Sequence, residues 1–155
     1  MTNEELHLDF DNLDRANFDG DSLHTAVFDG FSLYGASFIK TNLRSARLSR
    51  CYLVDAIFIE ALLMAAHFDY SVLINAKFSF SKLSGASFFK SDLRCSDFSQ
   101  ADVFNVNFSG ADLRGANFSG IKRFDNASFN EVLYDRETIW PDDFSPIDKG
   151  AILIE

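Results

Sequence analysis

The sequence predicts a repeat solenoid, and three regularities predict it. Every fifth residue from Leu8 to Phe118 is leucine or phenylalanine, with Val103 the one exception. The residue two places before is usually small, as at Ala16, Ala26, Ala36, Thr41, Ala46, Cys51 and Ala56. Seven of the eight glycines (Gly20, Gly30, Gly35, Gly85, Gly110, Gly115 and Gly120) stand two places after it. A period of five fits neither the 3.6 of a helix nor the 2 of a flat strand. It marks a repeat architecture in which each unit buries its apolar side against its neighbours.

Each unit of five therefore carries one large and one small inward residue around its central Leu or Phe, here called the centre. The other three positions face water and are often Asn, Ser, Asp, Lys or Arg. The position two after the centre is a turn, because glycine tolerates the backbone angles that a corner requires. The skew to 18 Phe against one Trp and four Tyr follows from the same rule, since each unit needs an apolar plug without a polar tip.

These units resemble the pentapeptide-repeat family, whose pattern is written A-(D/N)-L-x-x. The segment Ala111-Asp112-Leu113-Arg114-Gly115-Ala116-Asn117-Phe118-Ser119-Gly120 is close to that consensus, and one register holds from residue 6 to residue 120. The resemblance implies an all-β fold, a right-handed quadrilateral β-helix with one unit per side and four per coil. About six to seven coils follow, roughly 30 Å long at ~4.8 Å per coil. With twenty residues per coil, Phe18, Phe38, Phe58, Phe78, Phe98 and Phe118 form one structural ladder. Phe28, Phe68, Phe88 and Phe108 form a second on the facing wall, interrupted by Leu48.

The domain organisation follows the register. Residues 1–5 read as an N-terminal extension and 6–136 as the repeat. One extra residue lies within 121–126, because Ala116 and Ala127 are not a multiple of five apart; it reads as a bulge or short loop. Residues 137–155 read as a capping tail in which Trp140, Phe144 and Ile147 cover the apolar end of the solenoid. The tail Trp140-Pro141-Asp142-Asp143-Phe144-Ser145-Pro146 resembles the W-P-x-x-F-x-P segment of cyanobacterial-type members.

No catalytic chemistry is expected. The sequence has no nucleophile elbow, P-loop, dinucleotide fingerprint or CxxC pair. His7 and His67 share a column three coils apart, roughly 14 Å, and His24 sits on another side, so no metal site is expected. Catalytic, cofactor and metal residues are none. A narrow filled helix leaves no hollow of the usual ~300–1,000 Å³. Cys51 and Cys95 lie about two coils apart, roughly 10 Å, too far for a disulfide. With no basic leader and no apolar run near ~20 residues, the expected location is the cytoplasm, without membrane contact.

Two functional readings remain. The first is a non-enzymatic interaction or scaffold protein. Outward positions in the central coils should be polar, yet Tyr34, Ile39, Tyr52, Val54, Ile57, Ile59, Val72 and Ile74 occupy them. Stacked in twenties, they form one patch on two adjacent walls; contiguous apolar surface marks contact with another copy or with a different protein, the alternative being that a β-sheet face carries Val, Ile and Tyr through strand propensity alone. The second reading comes from the resemblance, which implies a DNA-mimicking rod that binds DNA gyrase. The net charge of −9 invites it. The distribution opposes it, with −7 over residues 1–30, +3 over 31–100 and −5 over 101–155. Lys40, Arg44, Arg47, Arg50, Lys77, Lys82, Lys90 and Arg94 are spread over all four sides without a stripe or regular aromatic interleaving, so no direct nucleic-acid binding is expected.

Overall fold

The computed structural model describes residues 12–155. The expectations placed on residues 1–11, including the N-terminal extension, His7, Asp9 and Asp11, lie outside the described residues. The chain winds as a four-sided right-handed parallel β-helix, an open solenoid rather than a closed barrel. The first wall runs through Asn12, Ser32, Tyr52, Val72, Asp92, Asp112, Leu133 and Ile152, each paired in parallel with the next. The second, third and fourth walls start at Asn17, Ser22 and Val27 and repeat every twenty residues.

The period of five is a hydrogen-bonding unit. The N–H of centre Phe58 donates to Lys77 in the next coil at 2.7 Å, and that of Glu60, two places on, donates to Ser79 at 3.1 Å. Ile57 N–H donates back to Ala36 at 2.9 Å, and Ala61 N–H closes the corner on the carbonyl of Phe58 at 3.1 Å. Four of five backbone donors are thereby paired along or between coils. Corners place the second residue after the centre at positive φ whether or not it is glycine: Thr25, Arg50, Tyr70 and Lys90 have φ of 60°, 55°, 60° and 51°.

The fifth donor, the N–H of the residue after the centre, has no backbone partner, and side chains supply one. At Asp19, Ser109 and Ser119 the acceptor is the Asn two residues earlier (Asn17, Asn107 and Asn117), at 2.8, 3.0 and 2.9 Å. At Tyr34, Ile39, Ser49 and Phe89 it is an Asp one coil below (Asp14, Asp19, Asp29 and Asp69), at 2.9, 2.8, 2.9 and 3.1 Å. This is the physical reason for Asn immediately before a centre and for Asp immediately after one: each caps a donor the coil geometry leaves over.

Inside, Phe38, Phe58, Phe78, Phe98 and Phe118 stack at 4.7–4.9 Å with planes within 6° of parallel. The facing rings meet them edge-on, as Phe68 meets Phe58 at 5.4 Å and 85°. Both arrangements are favourable for rings. Inward hydroxyls bond to backbone carbonyls, for example Ser71 Oγ to Leu48 at 2.6 Å, so the polar residues among the small positions cost little.

Register changes at the C-terminal end. Asn107 pairs with Ser128 and Asp112 with Leu133, an offset of one, around the short 3₁₀ turn Phe124–Asn126. A second extra residue follows, since Asn117 pairs with Ile139. Trp140 then lies on Phe118 at 5.3 Å, and Phe144 lies on Trp140 at 4.8 Å. After the 3₁₀ turn Ile147–Lys149, strand β2 (Ile152–Leu153) pairs with β1 (Leu133–Tyr134). The tail thus supplies a further rung, which the pattern of fives does not reveal.

Candidate interaction surface

The structure places Tyr34, Tyr52, Val54, Val72 and Ile74 on the first wall and Ile39, Ile57 and Ile59 on the second. Tyr52 is 48% exposed, and the other seven are partly exposed. The Tyr34 and Tyr52 rings lie 6.4 Å apart and 23° from parallel. Asp55 sits within the patch and accepts a hydrogen bond from Asn75 Nδ2 at 3.1 Å. The apolar surface also reaches further than the sequence count suggests: Leu62 and Met64 extend it onto the third wall, with Tyr70 and Phe80 on flanking corners. It forms a waist over three of the four walls, the fourth carrying Arg47, His67 and Asp69 in these coils.

At this waist the side-chain caps stop. Six turns there, at Val54, Ile59, Met64, Ile74, Ser79 and Ser84, have no acceptor side chain either two residues earlier or one coil below. Among the described residues those N–H groups have no intramolecular partner. The apolar and basic side chains stand where Asn or Asp would cap, so the waist carries both exposed apolar area and spare donors.

On either side of the waist, carboxylates are held in place. Besides the coil-to-coil caps, Arg94 grips Asp92 at 2.8 and 2.7 Å, and Arg114 grips Asp112 at 2.9 and 2.6 Å. The hydrogen bond and charge of Asp92 hold the Arg94 guanidinium above its ordinary pKa. Asp135 is partly desolvated, which would raise its pKa. Donation from Gly115 N–H, Thr138 Oγ1–H and the N–H groups of Glu137 and Thr138 outweighs that and holds it below the usual carboxylate range. Cys51 is buried and donates its thiol to the Phe28 carbonyl at 3.0 Å, and burial pushes it up to about 12. Cys95 is exposed.

Among the described residues no group of three His, Cys, Asp or Glu is placed to hold a metal ion, and no helix is long and apolar enough to cross a membrane. The solenoid interior is filled, but the tail creates a shallow hollow of about 380 Å³ beside Asp135, Arg136, Glu137, Ile154 and Glu155. The expectation of no ligand-sized hollow is corrected on that point: the hollow lies outside the filled interior, between the Asp135–Glu137 corner and Ile154–Glu155 beside it.

The basic residues also need correction. Corner residues of the fourth wall stack every twenty, so Arg50, Tyr70 and Lys90 share one edge. Arg50 Cζ lies 5.1 Å over the Tyr70 ring, Tyr70 meets Phe89 edge-on at 5.7 Å, and Lys90 Nζ lies 5.3 Å over Phe89. Aromatic and basic side chains do interleave there. A count in columns finds 50, 70 and 90, but Phe89 is one residue off the column, which is why the pattern is easily missed.

Residues 12–50, 46–79 and 81–120 match the family model described as pentapeptide repeats, in eight copies. A search of curated proteins finds no match. Among solved structures, a trypsin-treated variant of QnrB1, a plasmid-mediated fluoroquinolone resistance protein, is similar at 21% identity over 93% of this chain and 89% of that one, with a TM-score of 0.56. HetL, involved in heterocyst differentiation regulation in the cyanobacterium Nostoc sp. strain PCC 7120, matches at 18% identity over 91% of this chain and 73% of that one, with a TM-score of 0.41. The Nostoc PCC 7120 protein alr5209 matches at 27% identity over 63% of this chain and 84% of that one, with a TM-score of 0.47. The QnrB1 likeness is one of fold. It nevertheless overturns the exclusion of nucleic acid from the partners, which had rested on the spread of the basic residues and the lack of regular aromatic interleaving.

Proposed function

Since the chain belongs to the pentapeptide-repeat family, as a non-enzymatic member, we propose that it binds a type II topoisomerase of the DNA gyrase class in place of duplex DNA. The observation that carries this reading is the fixing of carboxylates on a straight, rigid rod. Asp14, Asp19, Asp29 and Asp69 each accept an N–H from the coil above, at 2.8–3.1 Å. Asp97 and Asp112 accept from their own turns at 2.9 and 3.2 Å. Charges held this way lose little freedom on docking, unlike those on free side chains. A cationic groove shaped for phosphates would meet negative charge in a set geometry. The rod shared with a fluoroquinolone resistance protein over 93% of this chain supports the same reading. On this reading the protein works in the cytoplasm, with its partner.

The test is gyrase supercoiling with and without ciprofloxacin, titrated with the purified protein. The proposal expects relief of drug inhibition, or inhibition of supercoiling at higher ratios. Unchanged supercoiling and unchanged drug sensitivity at a tenfold molar excess would overturn it.

A second reading, a scaffold docking another protein at its waist, is favoured by one specific observation. The spare N–H donors and apolar side chains coincide at Val54, Ile59, Met64 and Ile74.

A further inference from the structure

The edge between the fourth and first walls carries chemistry that the topoisomerase reading does not use. Arg50, Tyr70, Phe89 and Lys90 form a continuous run of cation, ring, ring and cation, linked by the 5.1, 5.7 and 5.3 Å contacts. Tyr52 follows Arg50 by two residues on the adjoining wall and is in turn stacked with Tyr34. Arg15 Cζ lies 5.7 Å over Tyr34. Tyr70 is 47% exposed.

We infer that this edge binds single-stranded nucleic acid, its bases stacking on Tyr52, Tyr70 and Phe89 and its phosphates meeting Arg50 and Lys90. Three arguments support the assignment. First, accessible rings flanked by cations are the combination that sequence-tolerant single-strand binding uses, because every base has a π-face and every linkage a charge. Second, the rings are anchored. Asp14 accepts the Tyr34 N–H and the Ser32 hydroxyl, and Asp69 accepts the Phe89 N–H and the Ser87 hydroxyl. Of the acids beside the edge, Asp69 is therefore engaged in positioning Phe89, and Asp92 is gripped by Arg94. Asp29 pairs with Arg47, whereas among the described residues neither Arg50 nor Lys90 forms an ion pair. Third, a convex edge of rings can stack only with bases that are already unstacked, since a duplex hides its base faces. The run from Tyr34 to Phe89 rises about 12 Å at ~4.8 Å per coil, enough for a few nucleotides. The inference stands independently of the topoisomerase proposal, in which the rod replaces nucleic acid and does not hold it.

The test is fluorescence anisotropy of a labelled mixed-sequence oligonucleotide about 12 nucleotides long, as a single strand and as a duplex, with the full chain. The single strand should bind and the duplex bind more weakly. Two phosphate contacts should make affinity fall about sevenfold between about 50 and 200 mM salt. Tyr70→Asn should weaken binding about tenfold, the effect of losing one stacked base. Asn suits the positive φ of that corner, so the variant should keep its fold, checked by thermal melting. Arg50→Asn with Lys90→Asn should remove most of the salt dependence, while Arg136→Asn on the last coil should bind as the unmodified chain does. The inference is overturned by no anisotropy change at about 100 μM protein, beyond usual non-specific affinities. It is equally overturned by equal binding of duplex, by equal loss in Arg136→Asn, or by capture of an acidic peptide with no oligonucleotide binding.

Discussion

Trp140 lies on Phe118 with ring centroids 5.3 Å apart and planes 15° from parallel, in the seat the next phenylalanine of the ladder would occupy. Its other face meets Phe144 at 4.8 Å, and Phe129 and Tyr134 meet it edge-on. Its Nε1–H is buried without an acceptor. Losing the ring and losing the N–H should therefore act in opposite directions. Trp140→Ala should destabilise by about 3 kcal/mol, as for other large-to-small changes at aromatic positions. Trp140→Phe keeps a ring on the ladder and removes an orphan donor worth about 1–3 kcal/mol, so it should be neutral or stabilising. Urea denaturation of the two variants checks this; a Phe variant as unstable as the Ala variant would show that indole area, not ring stacking, holds the end.

The ladder itself gives a larger effect. Phe58 is fully buried, stacked at 4.8 Å on both Phe38 and Phe78. Phe58→Ala should cost about 3–5 kcal/mol, because rigid walls paired on both sides cannot collapse into the space. The measurement is the denaturation midpoint at unchanged m-value; a loss below about 0.5 kcal/mol, the size usual for surface changes, would mean the coil closes over the cavity.

Corners predict a gain. Thr25 is β-branched and held at φ 60°, a region such residues rarely adopt. Among the described residues its hydroxyl bonds to the neighbouring His24 carbonyl alone, at 2.7 Å. Thr25→Gly should stabilise by about 1 kcal/mol, the strain released exceeding the added chain entropy. A lower melting temperature would show that the hydroxyl or methyl does more than the backbone geometry indicates.

What could be read from the sequence was set by which contacts are periodic. Phe58 on Phe78 and the corner at Tyr70 follow from counting, because side chains at equal positions must stack. The carboxylate caps do not. Asp14 reaches the Tyr34 N–H one coil above, while Asn17 caps its own turn, and spacing cannot say which way a side chain leans. Phe89 escapes the count because it meets Tyr70 diagonally. Ile152 escapes it because the tail returns to the first wall after an aperiodic loop. The waist was visible as apolar residues in outward seats, but the donors they leave uncapped appear only once the hydrogen bonds are known.

Cys51 predicts a pH dependence. Its thiol is raised by burial from 9.0 to about 12, so the folded chain keeps a proton that the unfolded chain releases. Its contribution to stability is complete below pH 9 and is lost as pH rises from 9 towards about 12. Unfolding free energy should fall with alkali over that window, and Cys51→Ala, the residue at most equivalent positions, should flatten the fall. Under native conditions at neutral pH, iodoacetamide should label Cys95 and spare Cys51. Equal slopes in the two proteins would assign the alkaline loss to other groups.

The waist gives the prediction that separates function from strand preference. Tyr52 and Ile57 stand where Asn12 and Asn17 stand two coils below, and those asparagines cap Asp14 and Asp19 N–H at 2.9 and 2.8 Å. Tyr52→Asn with Ile57→Asn should restore caps to Val54 and Ile59, each hydrogen bond adding about 0.5–1.5 kcal/mol. If the apolar waist exists for a partner, the doubly capped chain should melt higher and bind less, the trade expected of a surface kept for contact. Val54→Lys with Ile59→Lys should also weaken binding, since charge is costly in a desolvated contact, but without a gain in stability. Sedimentation of each variant and recovery of bound proteins from lysate report association, and thermal melting reports stability. Lower stability in the asparagine variant would mean that Tyr52 and Ile57 hold neighbouring coils together. Higher stability with unchanged association would leave the waist without a partner.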